Sequence, residues 1–294
     1  MPEQIPTVGM CNLLGDDFTL NDILIYHLSD FLKTHPNMVF PHRHSFFQIL
    51  YFTKSGGKHT IDFDGYEAEA GQIYFMIPGQ VHTWSFTDNT EGFLVNFTES
   101  FFSSVFINPH YISDFPFFSG ISGDNVLKVP KKMQPELLQL FINMQAECKS
   151  QQEYKYDYLR AKLVELFVLV SRKLVSDKTS KLTRHNYLIL RNFQKLIEQQ
   201  YKVNKLPKEY AELLFITPNH LNALCKSTLG KAAGEIIRDR VLLEARRLLV
   251  NSDYNVSQIS HQLNFDDPSY FVKFFKKYIG VTPEEFRKTK LAIK

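Results

Sequence analysis

Apolar and polar positions follow two periods along this chain, and the change between them divides it. Between Phe46 and Phe97 short runs alternate with period two: FFQILYF (46–52), HTIDF (59–63), QIYFMI (72–77) and GFLVNF (92–97). Gly56-Gly57, Asp64-Gly65, Gly71, Pro78-Gly79 and Asp88-Asn89 punctuate them. Short alternating runs between turn signals predict β-strands, and this regular spacing predicts a sandwich or small barrel. The aromatic run FFSSVFINPHYISDFPFF (101–118) is expected to cover one end of that barrel, with most of its phenylalanines in the core.

From Pro135 the period lengthens to that of a helix. One helix is expected from Pro135 to about Ser150 and a second from Tyr154 to about Val175. The second carries Leu159, Leu163, Leu166, Val170 and Leu174 at steps of three and four. Val164, Phe167, Val168 and Leu169 widen its apolar cover beyond one stripe, so it is expected to pack on two sides. The polar text SDKTSKLT (176–183) reads as an interdomain linker.

The remaining text contains one helix-turn-helix pattern twice. Shifting Ala211–Ile237 by 50 residues aligns Leu213 with Leu263, Phe215 with Phe265, Pro218 with Pro268 and Leu221 with Phe271. The same shift aligns Leu224 with Phe274, Lys226 with Lys276, Gly230 with Gly280 and Ile236 with Phe286. Thr217-Pro218 and Asp267-Pro268 each supply a capping oxygen followed by a proline at the first helical position. Gly230 and Gly280 suit left-handed C-caps. Leu221, Leu224, Cys225 and Thr228 share one face of the first helix, and Phe271, Phe274, Phe275 and Tyr278 one face of the second. The opposite faces carry Asn219, Asn222, Ala223 and Lys226, then Ser269, Val272, Lys273 and Lys276, with His220 and Tyr270 beside them. Small, polar and basic side chains of this kind can approach phosphates and base edges in a DNA major groove.

Charge strengthens that reading. The overall net of +3 hides an asymmetry: residues 181–294 carry 20 Lys and Arg against 11 Asp and Glu, whereas residues 1–180 carry 14 against 20. A basic C-terminal part beside an acidic remainder suits a polyanionic partner. Three scattered cysteines (Cys11, Cys148, Cys225) offer no disulfide framework. The opening text MPEQIPTVGM has no secretory pattern, and the greasy segment Leu163–Val170 is too short to span a bilayer. A cytoplasmic protein with no membrane partner is therefore expected.

The text from Glu244 to Arg287, EARRLLVNSDYNVSQISHQLNFDDPSYFVKFFKKYIGVTPEEFR, resembles the signature of AraC/XylS-type transcriptional regulators. The resemblance implies two helix-turn-helix subdomains joined by a long helix, here from about Ala233 to Leu249. It also implies recognition helices in successive major grooves, with base contacts from Asn219, Asn222, Ala223, Ser269, Tyr270 and Lys273. Ala223 stands where the family often has a longer polar residue, and Cys225 replaces the usual aromatic. By the same analogy the second partner of the 154–175 helix is its copy in a second subunit, which makes Leu159, Leu163, Leu166 and Val170 candidate dimerisation positions. Burial of that helix wholly within one subunit is the alternative.

The text from Pro41 to Phe86 resembles a cupin, the sensor domain common among these regulators. That resemblance implies a ligand pocket lined by His42, His44, Gln48, Tyr74, His82 and Trp84. Cupin enzymes hold a metal with two histidines and a glutamate of the first motif and a later histidine. Here the glutamate position is Gln48, a neutral amide and a poorer ligand than a carboxylate, so no metal, no cofactor and no catalysis are expected, although three imidazoles alone could still bind a metal. His59 and His110 have no partner pattern and are expected at the surface or core edge. A repair protein of the methyl-acceptor type would need a cysteine cluster that three scattered cysteines cannot form.

The expected architecture is α+β: a cupin-like barrel over residues 1–125, a helical connector over 126–180 and an all-α DNA-binding domain over 181–294. The expected function is sequence-specific transcriptional regulation, as an activator, controlled by a small-molecule effector in the barrel. The expected partners are promoter DNA, RNA polymerase and a second copy of the chain.

Overall fold

The alternating text folds into strands, as the period predicts, in a computed structural model that describes residues 6–14, 23–35, 40–87, 89–108, 111–118, 125–178 and 184–291. The first part runs β1 (Thr7–Val8), α1 (Cys11–Leu14), β2 (Ile23–His27), α2 (Leu28–Thr34), β3 (His42–His44), β4 (Phe47–Lys54) and β5 (Lys58–Ile61). It continues with β6 (Asp64–Glu67), β7 (Gln72–Met76), β8 (Val81–Ser85), β9 (Glu91–Phe97), α3 (Glu99–Ser103), β10 (Val126–Lys128), α4 (Gln134–Lys149) and α5 (Lys155–Lys178). One sheet has the order β1-β3-β8-β5-β6 and the other β10-β7-β4-β9-β2.

Period two assigns each side chain of the second sheet to one of two cores. Leu24, Leu50, Phe52, Tyr74, Met76 and Leu94 face inward and join Ile61 and Trp84 of the first sheet. Ile23, Ile25, Phe47, Ile49, Tyr51, Ile73, Phe75, Phe93, Val95 and Phe97 face the other way, into a cluster shared with α4 and α5. Gln48 and Asn96, paired across β4 and β9, have the parity of Leu50 and Leu94 and so face the inner core.

Three expectations change here. The described residues of 101–118 pack on the outer face of the second sheet: Phe101, Phe102, Ile112, Phe115, Phe117 and Phe118 join the outer cluster, which gives the phenylalanines their expected place in a core. Phe117 stacks on Phe75 with ring centroids 3.9 Å apart. The helices expected as a separate connector belong to the N-terminal compact unit (6–177), because their apolar residues complete the outer face of its sheet. Leu159, Leu163, Leu166 and Val170 are consequently buried within their own chain and have no surface left for a dimer contact. Val164, Val168 and Leu169 pack partly against the same cluster. Most of the linker text, and His110, lie outside the described residues.

The second compact unit begins at Lys178. It contains α6 (Arg184–Gln200), α7 (Pro207–Leu213), α8 (Pro218–Leu229), α9 (Ala233–Asn251), α10 (Val256–Gln262), α11 (Pro268–Ile279) and α12 (Pro283–Leu291). Its spine is α9, with Ala233, Ile236, Ile237, Val241, Leu242, Leu243, Ala245 and Leu249 buried. Arg240 of α9 is buried too; its guanidinium donates to Glu198 of α6 at 2.9 Å and to Glu244 one turn on at 3.0 Å. Burial raises the Glu198 carboxyl against the opposing pull of Arg240. No described helix is long and apolar enough to cross a membrane.

The two helix-turn-helix units do not superpose by one shift. From α8 to α12 the 50-residue offset holds, but α7 and α10 differ by 49. Phe215 and Asn264 are the equivalent turn residues, both at positive φ (54° and 56°). The amides after them, Ile216 and Phe265, donate to the Ala211 and Ser260 carbonyls in the same way. The second turn is one residue longer. The alignment of Leu213 with Leu263 and Phe215 with Phe265 is therefore corrected: Leu263 and Phe265 are buried, whereas Leu213 is 44% and Phe215 95% exposed.

Candidate functional site

Two places gather chemistry: the outer faces of α8 and α11, and the polar wall inside the barrel. The helices begin as their caps require. Thr217 Oγ1 accepts from the His220 amide at 3.1 Å, and Asp267 Oδ1 accepts from the Ser269 amide at 2.8 Å. Gly230 and Gly280 close them at φ 72° and 89°, where a side chain would be strained. Leu221, Leu224 and Cys225, then Phe271 and Phe275, fill the interior. The core stripes are narrower than expected, since Thr228 and Phe274 are only half-buried and Tyr278 is exposed under the Arg238 guanidinium.

The opposite stripes point to solvent. Asn219, His220, Ala223 and Lys226 are exposed on α8, and Ser269, Tyr270, Lys273 and Lys276 on α11. Val272 is half-buried. Asn222 is half-buried as well, and its Oδ1 accepts from the Ala233 amide at 3.0 Å. That bond ties α8 to the start of α9, so Asn222 is partly committed to the fold. Tyr270 is 61% exposed with its ring 6.0 Å from that of Phe265. Among the described residues of these stripes no acidic side chain appears, so a phosphate meets only neutral or positive groups.

Inside the barrel, β3 and β8 put His42 opposite His82, and β5 and β8 put His59 opposite Trp84. His42, His44, Gln48, Tyr74, His82 and Trp84, the residues expected to line a pocket, are all buried. His59 is buried as well and not at the surface or edge. His59 Nε2 and His82 Nδ1 share a proton at 3.1 Å, and His82 Nε2 lies 3.3 Å from His44 Nε2. His42 Nδ1 lies 2.8 Å from the Phe40 carbonyl, which can only accept, so Nδ1 carries the proton and Nε2 is left bare.

Burial keeps all four rings neutral. It holds His42 below the usual histidine range and His44 and His82 well below it, and pushes His59 down to about 3. The mutual repulsion of the rings adds to the effect on His44, His59 and His82. Tyr74 contributes its ring rather than its hydroxyl, which donates to Gln72 at 2.8 Å. Gln48 Nε2 donates to Asn96 Oδ1 at 3.0 Å. Five buried polar atoms on these walls have no partner: His42 Nε2, Gln48 Oε1, His59 Nδ1, Trp84 Nε1 and Asn96 Nδ2.

The metal that the cupin resemblance implies can be tested against these residues. His42, His44 and His82 offer ligand atoms that all lie within 4.8 Å of one another. The 3.3 Å between His44 and His82 Nε2 matches the roughly 3.3 Å expected of two imidazoles on one tetrahedral ion. Three imidazoles fit; the carboxylate of the enzymes is replaced by Gln48.

A family model described as a helix-turn-helix domain matches residues 210–289, and one described as an AraC-like ligand binding domain matches residues 32–162. The chain belongs to the AraC-type regulators. The first AraC-type match takes in α8 and α11 and the second takes in all four buried histidines. The transcriptional regulatory protein YesN of Bacillus subtilis is 32% identical over 109 residues, 35% of this chain and 29% of that protein. The transcriptional activator AggR of Escherichia coli is 29% identical over 126 residues, 42% of each chain. A solved structure of ToxT from Vibrio cholerae covers 90% of this chain and 97% of that one at 16% identity, with a TM-score of 0.40. The chain spans less than two thirds of the length of the curated relatives it matches first, 29%, 58% and 57%.

Sequence reasoning missed His59 and Asn96. The signal was there in the period: His59 precedes the inward Ile61 by two residues, and Asn96 follows the inward Leu94 by two.

Proposed function

We propose that this protein is a sequence-specific DNA-binding transcriptional regulator whose barrel binds a small-molecule effector. The observation that carries the reading is the pair of capped helices, α8 and α11, each with a buried apolar face and an exposed polar or basic one. The bases would be read by Asn219, His220, Ala223 and Lys226 and by Ser269, Tyr270, Lys273 and Lys276, with Asn222 and Val272 at the margins. The effector would meet His42, His44, Gln48, His82 and Trp84, beside the Tyr74 ring. It can change DNA binding only by the difference in its affinity for two arrangements of the protein. Activation is favoured by the activator name of AggR, a relative that overlaps this chain. The protein would act in the cytoplasm without catalysis, as a homodimer contacting RNA polymerase. The dimer contact must use surface other than Leu159, Leu163, Leu166 and Val170. Sequencing the genomic fragments that the purified chain retains tests the reading. A recurring sequence upstream of genes is expected; recovery at random contradicts it.

A further inference from the structure

We infer, on the reading of α8 and α11 as recognition helices, that Lys205 is a positioning residue: it clasps the turn of the second helix-turn-helix unit to the first, so that the two helices read groove segments at one fixed spacing.

Lys205 lies in the stretch between α6 and α7, and its backbone is fixed to the first unit. Its amide and that of Leu206 donate to Glu209 Oε2 of α7, each at 2.8 Å. The side chain reaches across to the second unit. Nζ donates to the Asn264 carbonyl at 2.7 Å, and Asn264 is the left-handed residue of the turn between α10 and α11. The same ammonium donates to the Lys202 carbonyl at 2.7 Å and lies 4.8 Å from the centre of the Phe265 ring. Hydrogen bonds from a charged donor are stronger than neutral ones, and an aromatic face beside the cation adds to them. Burial pulls this ammonium below the usual lysine range, and Asp266 and Glu209 oppose that pull, one carboxylate from each unit.

The contact is not part of the repeated motif. By the offset of 49 that relates α7 to α10, the counterpart of Lys205 is Tyr254. The extra residue of the second turn is Asp266: Ile216 matches Phe265 and Thr217 matches Asp267, which leaves Asp266 without a counterpart. The inserted residue thus supplies a charge that attracts the lysine. A second cation ties α11 to the spine, since the Arg238 guanidinium of α9 lies 4.2 Å from the centre of the Tyr278 ring. Two bodies joined by a single helix can rock about it, and a bond away from that helix removes the freedom. Each base pair added between two groove segments moves the second by about 3.4 Å along the duplex and about 35° around it, so locked helices tolerate little change in spacing.

Two measurements on the full chain test the clasp. The first needs no DNA: nitroxide labels on Glu212→Cys of α7 and Ser257→Cys of α10, with Cys11→Ser and Cys148→Ser, report the distance between the units by pulsed electron resonance. One narrow distance distribution is expected, and Lys205→Met should broaden it; Asp266→Asn should broaden it less. A broad distribution before substitution, or one that neither variant broadens, overturns the clasp. The second is affinity for the selected duplex with one or two base pairs inserted or removed between its segments. The unsubstituted chain should lose about tenfold or more per step, and Lys205→Met should bind the best spacing about tenfold more weakly and discriminate less between spacings. Equal spacing profiles for the two proteins overturn the positioning role. A chain that selects no duplex yet shows the narrow distribution, broadened by Lys205→Met, fails the regulator reading and leaves the clasp standing.

Discussion

Phe215 is the residue that local physics least favours. It holds a left-handed backbone (φ 54°) with its ring 95% exposed, so neither packing nor conformation supports it. Left-handed backbone costs an ordinary side chain roughly 1–2 kcal/mol, and asparagine, which occupies the equivalent turn position at 264, pays less. Phe215→Asn should therefore raise unfolding stability by about 1 kcal/mol in urea titration. A loss would mean that the ring makes a stabilising contact. The buried histidines give a pH dependence. Each is lowered when folded, so below the unfolded value of 6.5 the unfolded chain binds more protons than the native one. Their contribution is complete above pH 6.5 and is lost as pH falls toward the folded values, about 3 for His59. Unfolding of the chelator-treated protein should weaken below pH 6.5, by up to about 1.4 kcal/mol per pH unit for each fully neutral ring. His59→Phe should flatten that slope. At this scale the sequence was partly legible: His42, His44 and His82 announce themselves by a motif, whereas His59 needs its strand neighbour to be meaningful.

At the scale of elements, caps and periods were readable because they are local. Thr217, Asp267, Gly230 and Gly280 act through atoms a few residues away, and all four sit where the text implied. The turn offset was not readable: Leu213 and Leu214 are both apolar, so a fixed 50-residue shift conceals the extra residue in the second turn. The fate of α5 was illegible for a related reason. Its wide apolar cover needs two partners, and the sequence does not say that the 101–118 segment and the sheet supply both. The tie between α6 and α9 carries a prediction. Arg240→Ala leaves Glu198, half-buried, without its cation and should cost up to about 3–5 kcal/mol in thermal or chemical unfolding. Glu198→Gln added to Arg240→Met should recover most of that loss; no recovery would mean that Arg240 acts by packing alone.

Across the whole molecule, the charge asymmetry and the two exposed helix faces point to one polyanionic partner. Affinity for a cognate duplex should fall with salt at a log–log slope of roughly −0.9 per phosphate neutralised. A flat response would remove the basic stripes from the account. Fold class was legible here because two periods, 2 and 3.6, separate cleanly along the chain. The polar wall inside the barrel was not, because its unpartnered atoms come from five strands of two facing sheets that only the folded chain assembles. The most direct measurement is a groove-protection footprint of the full chain on the genomic sequence it selects, beside Lys273→Ala. Two protected major-groove segments about one helical turn apart are predicted, 10–10.5 bp centre to centre, with Lys273→Ala weakening only the segment read by α11, by about 1–3 kcal/mol. A single protected segment, or equal weakening of both segments and of random DNA, would contradict the claim that the twin helices read adjacent grooves.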